Sequence, residues 1–181
     1  MISSERSQNV IVSFVILTAL VSSVLLVSNA QFYSGSYVLA GRMEVSIVGS
    51  VVSNIDPTNE SIYPSISFTF NFRTDSPIEG NVRLKYIDAA LLLNEDPLSY
   101  TPLSRYLTNN PDQLLHPGYD ANFTLSQTTN SEADRASILE AASTDTWNWY
   151  IRLRYNFITF DEERSEIWRV LYFNWTGSTI T

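Results

Sequence analysis

Hydrophobic and polar positions along the chain change rhythm near Met43. Before it lies a continuous apolar run, Val10 to Val27 (VIVSFVILTALVSSVLLV), eighteen residues without a charge, broken only by Ser13, Thr18, Ser22 and Ser23. A helix absorbs such hydroxyls by bonding them back to its own carbonyls. At 1.5 Å per residue the run reaches roughly 27 Å, enough to cross the hydrocarbon of a bilayer. After Met43 the positions alternate, as in strands with one face in a core and the other in water.

The clearest alternation sets Ile66, Phe68, Phe70 and Phe72 against Ser65, Ser67, Thr69, Asn71 and Arg73. A second sets Trp147, Trp149, Ile151, Leu153, Tyr155 and Phe157 against Asn148, Tyr150, Arg152, Arg154 and Asn156. A third runs from Ile167 to Trp175, and both of its faces are bulky: Trp168, Val170 and Tyr172 oppose Ile167, Arg169, Leu171 and Phe173. Asp161, Glu162, Glu163 and Arg164 between the last two predict a hairpin connection. Further strands are predicted at 43–53, 81–94 and 119–126, set apart by Asp56-Pro57, Asp75-Ser76-Pro77 and Pro117-Gly118. Six or more strands predict a sandwich. Ser131 and Asp134 form a capping-box pattern ahead of Ala136, Ile138, Leu139, Ala141 and Ala142, which predicts one short helix. The stretch from Glu95 to His116 holds Pro97, Pro102 and Pro111 and reads as a long surface excursion.

The chain therefore divides into a tail (1–9), a transmembrane signal-anchor helix (10–30), a linker (31–42) and a β domain (43–178). The apolar run exceeds the 7 to 15 residues of an ordinary cleaved signal core, which favours an uncleaved anchor. Ser28-Asn29-Ala30 ahead of Gln31 also suits signal peptidase, and Arg6-Ser7 ahead of Gln8 loosely suits a pilin-type leader, without the early acidic residue of many pilins. Arg6 on one side and Arg42 on the other are too few basic residues to orient the helix by charge. Orientation rests on the short tail before the run and the long domain after it, which puts the domain on the exported side. Phe32, Tyr33 and Tyr37 fall where an interfacial aromatic belt would sit.

Composition adds limits. With 44% hydrophobic, 13% aromatic and 17% charged residues, the chain is too apolar to remain disordered. A net charge of -8 repels phosphate backbones, so nucleic acid is excluded as a partner. There is no cysteine, hence no disulfide framework and no thiolate metal site. His116, the only histidine, precedes Pro117 and reads as a loop residue, and no G-x-S-x-G elbow accompanies it. Asp161, Glu162 and Glu163 match neither EF-hand spacing nor a glycosidase pair across a cleft, and read as a solvated hairpin tip. No catalytic, metal or cofactor-binding residues are predicted. Asn59-Glu60-Ser61, Asn122-Phe123-Thr124 and Asn174-Trp175-Thr176 are glycosylation sequons at about the frequency chance supplies, with Asn59 in the most loop-like setting. Trp147, Trp149, Trp168 and Trp175 invite a carbohydrate platform, but their place on alternating strands favours a core role; burial of the first three would end the platform idea.

The order of elements resembles the type 2 late-embryogenesis-abundant (LEA type 2) proteins, the water-stress-hypersensitivity domain, from about Glu44 to Asn174. The likeness is carried by SFTFNFRTDSPIEGNVRLKYIDAALLLNE, where that family has a strand, an Asn-Pro turn and a second strand, and by HPGYDANFTLSQ, similar to its proline-glycine approach to an outward strand. Asp75-Ser76-Pro77 departs from the family's Asn-Pro. The resemblance implies an all-β fold, an antiparallel Ig/fibronectin-like sandwich of about seven strands with one short helix, preceded by a single transmembrane helix. It also implies a non-catalytic interaction or stress-protective role. The expected partners are the lipid bilayer, through residues 10–27, and an unidentified protein or envelope component. Two rivals remain: a pilin-like surface-filament or envelope-assembly component, and a secreted hydrolase with a cleft lined by His116.

Overall fold

The computed structural model describes residues 2–108, 110–159 and 166–181. Helix α1 runs without a break over Ile2–Gly41. Its apolar part is long and apolar enough to cross a membrane, and none of it is covered by the rest of the chain. Thr18 and Ser23 bond back to the carbonyls of Phe14 and Ala19 at 2.8 Å, so the interrupting hydroxyls leave the helix intact. The helix extends beyond the stretch read as anchor, into the residues read as tail and linker: both 4–9 and 31–41 are helical. The segment 31–41 holds no proline, and its last turns gain a packing surface that an exposed linker lacks, with Leu39 and Ala40 buried.

The rest of the chain is mostly strand, in two sheets. The first has the order β6-β2-β1-β9 and the second β4-β3-β7-β8, with β5 also pairing β3. In the first, β1 (Glu44–Ser53), β2 (Ser65–Arg73) and β6 (Asp120–Thr128) are antiparallel, and the two-residue β9 (Thr179–Ile180) lies parallel to β1. In the second, β3 (Val82–Leu93), β4 (Asp96–Pro97), β5 (Leu103–Tyr106), β7 (Asn148–Thr159) and β8 (Glu166–Thr176) are all antiparallel to their neighbours.

Alternation places Ile66, Phe68, Phe70 and Phe72 of β2 fully in the core, facing Trp149, Ile151, Leu153, Tyr155 and Phe157 of β7. The sheets meet through edge-to-face rings, Phe68 on Trp149 at 5.1 Å and Phe72 on Tyr155 at 5.2 Å. Such pairs add roughly 1 kcal/mol each beyond area burial. A bulge at Lys85, between the paired Leu84 and Tyr86, switches the inward parity of β3 from Val82 and Leu84 to Ile87, Ala89, Leu91 and Leu93.

The second helix, α2 (Glu132–Thr144), begins where the sequence places it, with Ser131 accepting from the Ala133 N–H at 3.2 Å. Asp134 does not serve as the capping-box partner. It turns inward, 2% exposed, and accepts from the Thr101 hydroxyl at 2.6 Å and the Tyr100 N–H at 3.1 Å. The carboxylate thus pins the excursion of 95–116, which carries β4, β5 and a 3-10 turn, Pro111–Gln113. Arg135, also buried, donates to the carbonyls of Ile62, Asp56 and Asn59 and ties the 54–64 loop to α2. The hairpin tip read at Asp161, Glu162 and Glu163 lies outside the described residues.

Candidate functional site

The junction between α1 and the domain orients everything else. Ser36, fully buried, donates its hydroxyl to the Phe32 carbonyl at 3.1 Å and accepts the Asn81 N–H at 2.9 Å. A Cβ on Gly35 would sit 2.2 Å from the Glu79 carbonyl oxygen, and one on Gly80 would sit 2.6 Å from the Ser36 backbone nitrogen. Only glycines permit this approach. The first residues of β3 therefore lie at the α1 end of the molecule, and Leu93, where β3 finishes, lies at the far end.

On the side of the five-stranded sheet turned away from the core lies a field of rings and charged groups. Register aligns Tyr86, Asn156 and Trp168 in one row, Asp88, Arg154 and Val170 in the next, then Ala90, Arg152 and Tyr172, then Leu92, Tyr150 and Asn174. β5 adds Tyr106 beside Tyr86, their centroids 4.5 Å apart. Trp168 is 44% exposed, Tyr106 69% and Tyr172 61%. The Arg154 guanidinium stands 5.0 Å over the Trp168 ring while its Nε donates to Asp88 at 2.9 Å. The Asp88 carboxylate beside it holds the guanidinium further above its ordinary range. At the end of this face Lys85 donates to Glu166 at 3.0 Å, which lowers the carboxyl pKa of Glu166.

At the far end a cleft of about 850 Å³ opens between the β3–β4 turn, α2 and the ends of β7 and β8, with Asn94, Glu95, Asp96, Glu140, Trp149 and Trp175 on its walls. Asn94 and Glu95 both take positive φ, 51° and 75°, as a two-residue turn of the I′ kind demands. The Asn94 side chain anchors that turn by donating to the Thr146 carbonyl at 2.8 Å and accepting the Asn148 N–H at 3.1 Å.

The residues singled out in the sequence are dispersed. Phe32, Tyr33 and Tyr37 stand on exposed positions of α1, not on a linker. Asn59 is exposed in the 54–64 loop, its side chain accepting from the Ser61 N–H. Asn122 and Thr124 share the outward side of β6, where Asn71 donates to Asn122 at 2.9 Å. Asn174 lies exposed at the rim of the far cleft. His116 is exposed on a loop, its Nδ1 2.9 Å from the Pro117 carbonyl and its ring against Tyr119. Among the described residues no group of three or more histidine, aspartate and glutamate side chains could hold a metal.

The four tryptophans separate. Trp147 and Trp149 are buried, at 4% and 2%, whereas Trp168 faces outward and Trp175 is half-buried, donating to Ser50. The condition that would have ended the platform idea is therefore not met. Tyr86, Tyr106, Arg152 and Arg154, which join Trp168 on that face, were not singled out from the sequence. The outward half of the alternation at Tyr150, Arg152 and Arg154 was the signal available there.

No family model and no curated protein matches the chain. Among solved structures, a protein from Archaeoglobus fulgidus is similar at 9% identity and a TM-score of 0.42, over 76% of this chain and 94% of that one. A structural-genomics target, SoR45, is similar at 8% identity and a TM-score of 0.45, over 76% of this chain and 87% of that one.

Proposed function

We propose that this protein is a single-pass, membrane-anchored antiparallel β-sandwich of the LEA type 2 kind, with its domain outside the cytoplasm. In this reading it acts as a non-catalytic interaction or protective module. The observation that carries the proposal is the division of α1. Its apolar stretch has no cover from the chain, and Val24 and Leu26 are 68% and 72% exposed, while Leu39 and Ala40 are buried in the domain. So much uncovered apolar surface calls for lipid.

The two facing sheets support the sandwich, and the resemblance supports the family. Alkaline carbonate extraction followed by protease treatment of intact cells tests the reading. The full chain should stay in the membrane pellet, and external protease should remove the domain. Release by carbonate would overturn the anchor, and protection from protease would overturn the orientation.

A further inference from the structure

We infer that the outward side of the five-stranded sheet binds a carboxylated polysaccharide, a chain of uronate-type sugars. This deepens the module reading above by naming the ligand class and the surface that takes it. Charge is the first argument. Among the described residues, the outward positions of that sheet carry Arg83, Lys85, Arg152 and Arg154 against Asp88 and Glu166, a local excess of positive charge in a chain whose net charge is -8, whereas Arg105 and Arg169 pair with the inward Ile87 and Tyr155. Asp88 and Glu166 are already paired with Arg154 and Lys85. Arg152, in the middle of the field, has no acidic partner among the described residues. Its planar fork is suited to a carboxylate held by two parallel hydrogen bonds.

The mixture of rings and polar groups is the second argument. Three rows set an exposed apolar or aromatic side chain beside an exposed polar one at the ~4.8 Å strand spacing: Val170 by Arg154, Tyr172 by Arg152, and Tyr150 by Asn174. A sugar ring has the matching duality, an apolar face of C–H bonds that lies on an aromatic ring and an edge of hydroxyl and carboxylate groups. A protein partner asks for something else, a contiguous apolar centre inside a polar rim, with anchors in pockets. This face divides its rings into two groups, Tyr86, Tyr106 and Trp168 at one end and the stacked Tyr150 and Tyr172 at the other, with the charged Asp88–Arg154 row between them. Nor does it suit a second copy, because a two-fold pairing of two such faces would oppose Arg152 with Arg152.

The test uses the purified full-length protein in a neutral detergent, so its outcome is independent of orientation in cells and of the anchor. Three probes are titrated: polygalacturonate, its methyl-esterified neutral form, and polyglutamate. Polygalacturonate should bind saturably and the ester about tenfold more weakly, as loss of a charge-assisted pair implies. Trp168→Ala and Arg152→Ala should each weaken binding about tenfold. Both side chains are exposed, so melting temperatures should stay unchanged, and Ser67→Ala on the opposite sheet should bind as the parent does. Absence of saturable polygalacturonate binding overturns the inference. So does binding that Trp168→Ala leaves intact, or polyglutamate binding of equal strength, which would mark a surface for acidic protein instead.

Discussion

Two adjacent side chains at the start of α2 hold more of the domain together than their positions suggest. Arg135 satisfies the carbonyls of Ile62, Asp56 and Asn59, and Asp134 accepts from Thr101 and Tyr100. Removing Asp134 strands the buried Thr101 hydroxyl, and removing Arg135 strands three partly buried loop carbonyls, which costs the desolvation of what remains rather than the modest worth of the bonds lost. Arg135→Ala should therefore lower unfolding free energy by about 2 kcal/mol in urea titration. Amide exchange should rise across 54–64 for that variant and across 98–107 for Asp134→Ala. Thr58 holds the pKa of Asp56 below 3.8, and Lys85 holds that of Glu166 below 4.5. A carboxyl whose folded pKa is depressed adds stability that is complete above its unfolded pKa and lost as pH falls through the folded one. Urea midpoints should be level from about pH 7 to pH 5 and decline below that range, and Glu166→Gln should make the decline shallower. Both groups are surface pairs, so the change should be small.

These roles were only partly legible in the sequence. The pattern Ser131 and Asp134 read as a capping box because two residues of the right types stood three apart. Ser131 does cap, but Asp134 answers to a loop more than thirty positions away, a partner that local spacing cannot disclose. The outward face was obscured for a similar reason. β8 is bulky on both sides, so alternation alone does not say which side meets the other sheet. Tyr86 and Tyr106 become neighbours only through the pairing of β3 with β5.

Among the elements, the large strands were read closely, because unbroken alternation of apolar and polar positions survives any tertiary setting. β4 and β5 were not: they are two and four residues long, and Pro97 argued against a strand. The turn before β4 uses Asn94-Glu95 in place of the Asn-Gly that announces such turns. The extent of α1 was the larger miss, since docking onto 78–82 extends the helix beyond its lipid-length core. That docking is tested by Gly35→Val. The new side chain meets the Glu79 backbone, which cannot give way as a flexible side chain would. Amides of 35–41 should lose protection from exchange while those of β2 and β7 keep theirs; unchanged protection at 35–41 would contradict the tight junction. Within the sheets Phe68→Ala, which removes a fully buried ring, should cost about 4 kcal/mol by calorimetry.

Taken as one body, the molecule is a long helix whose apolar part lies uncovered and whose last turns are fixed to a β domain. Under the proposed anchoring, the continuous α1 and its glycine junction hold the domain close to the bilayer. The proposed outward orientation leaves Asn59, exposed in a loop, and Asn174, exposed on a strand, open to modification, while Asn122 is engaged by Asn71. The chain contains no cysteine, so introduced thiols report location without background. Single-cysteine variants Ser4→Cys and Ser126→Cys, treated in intact cells with a membrane-impermeant maleimide, give the most direct reading. The account predicts labelling at 126 and none at 4 until the cells are broken. Labelling at 4 with none at 126 would contradict it.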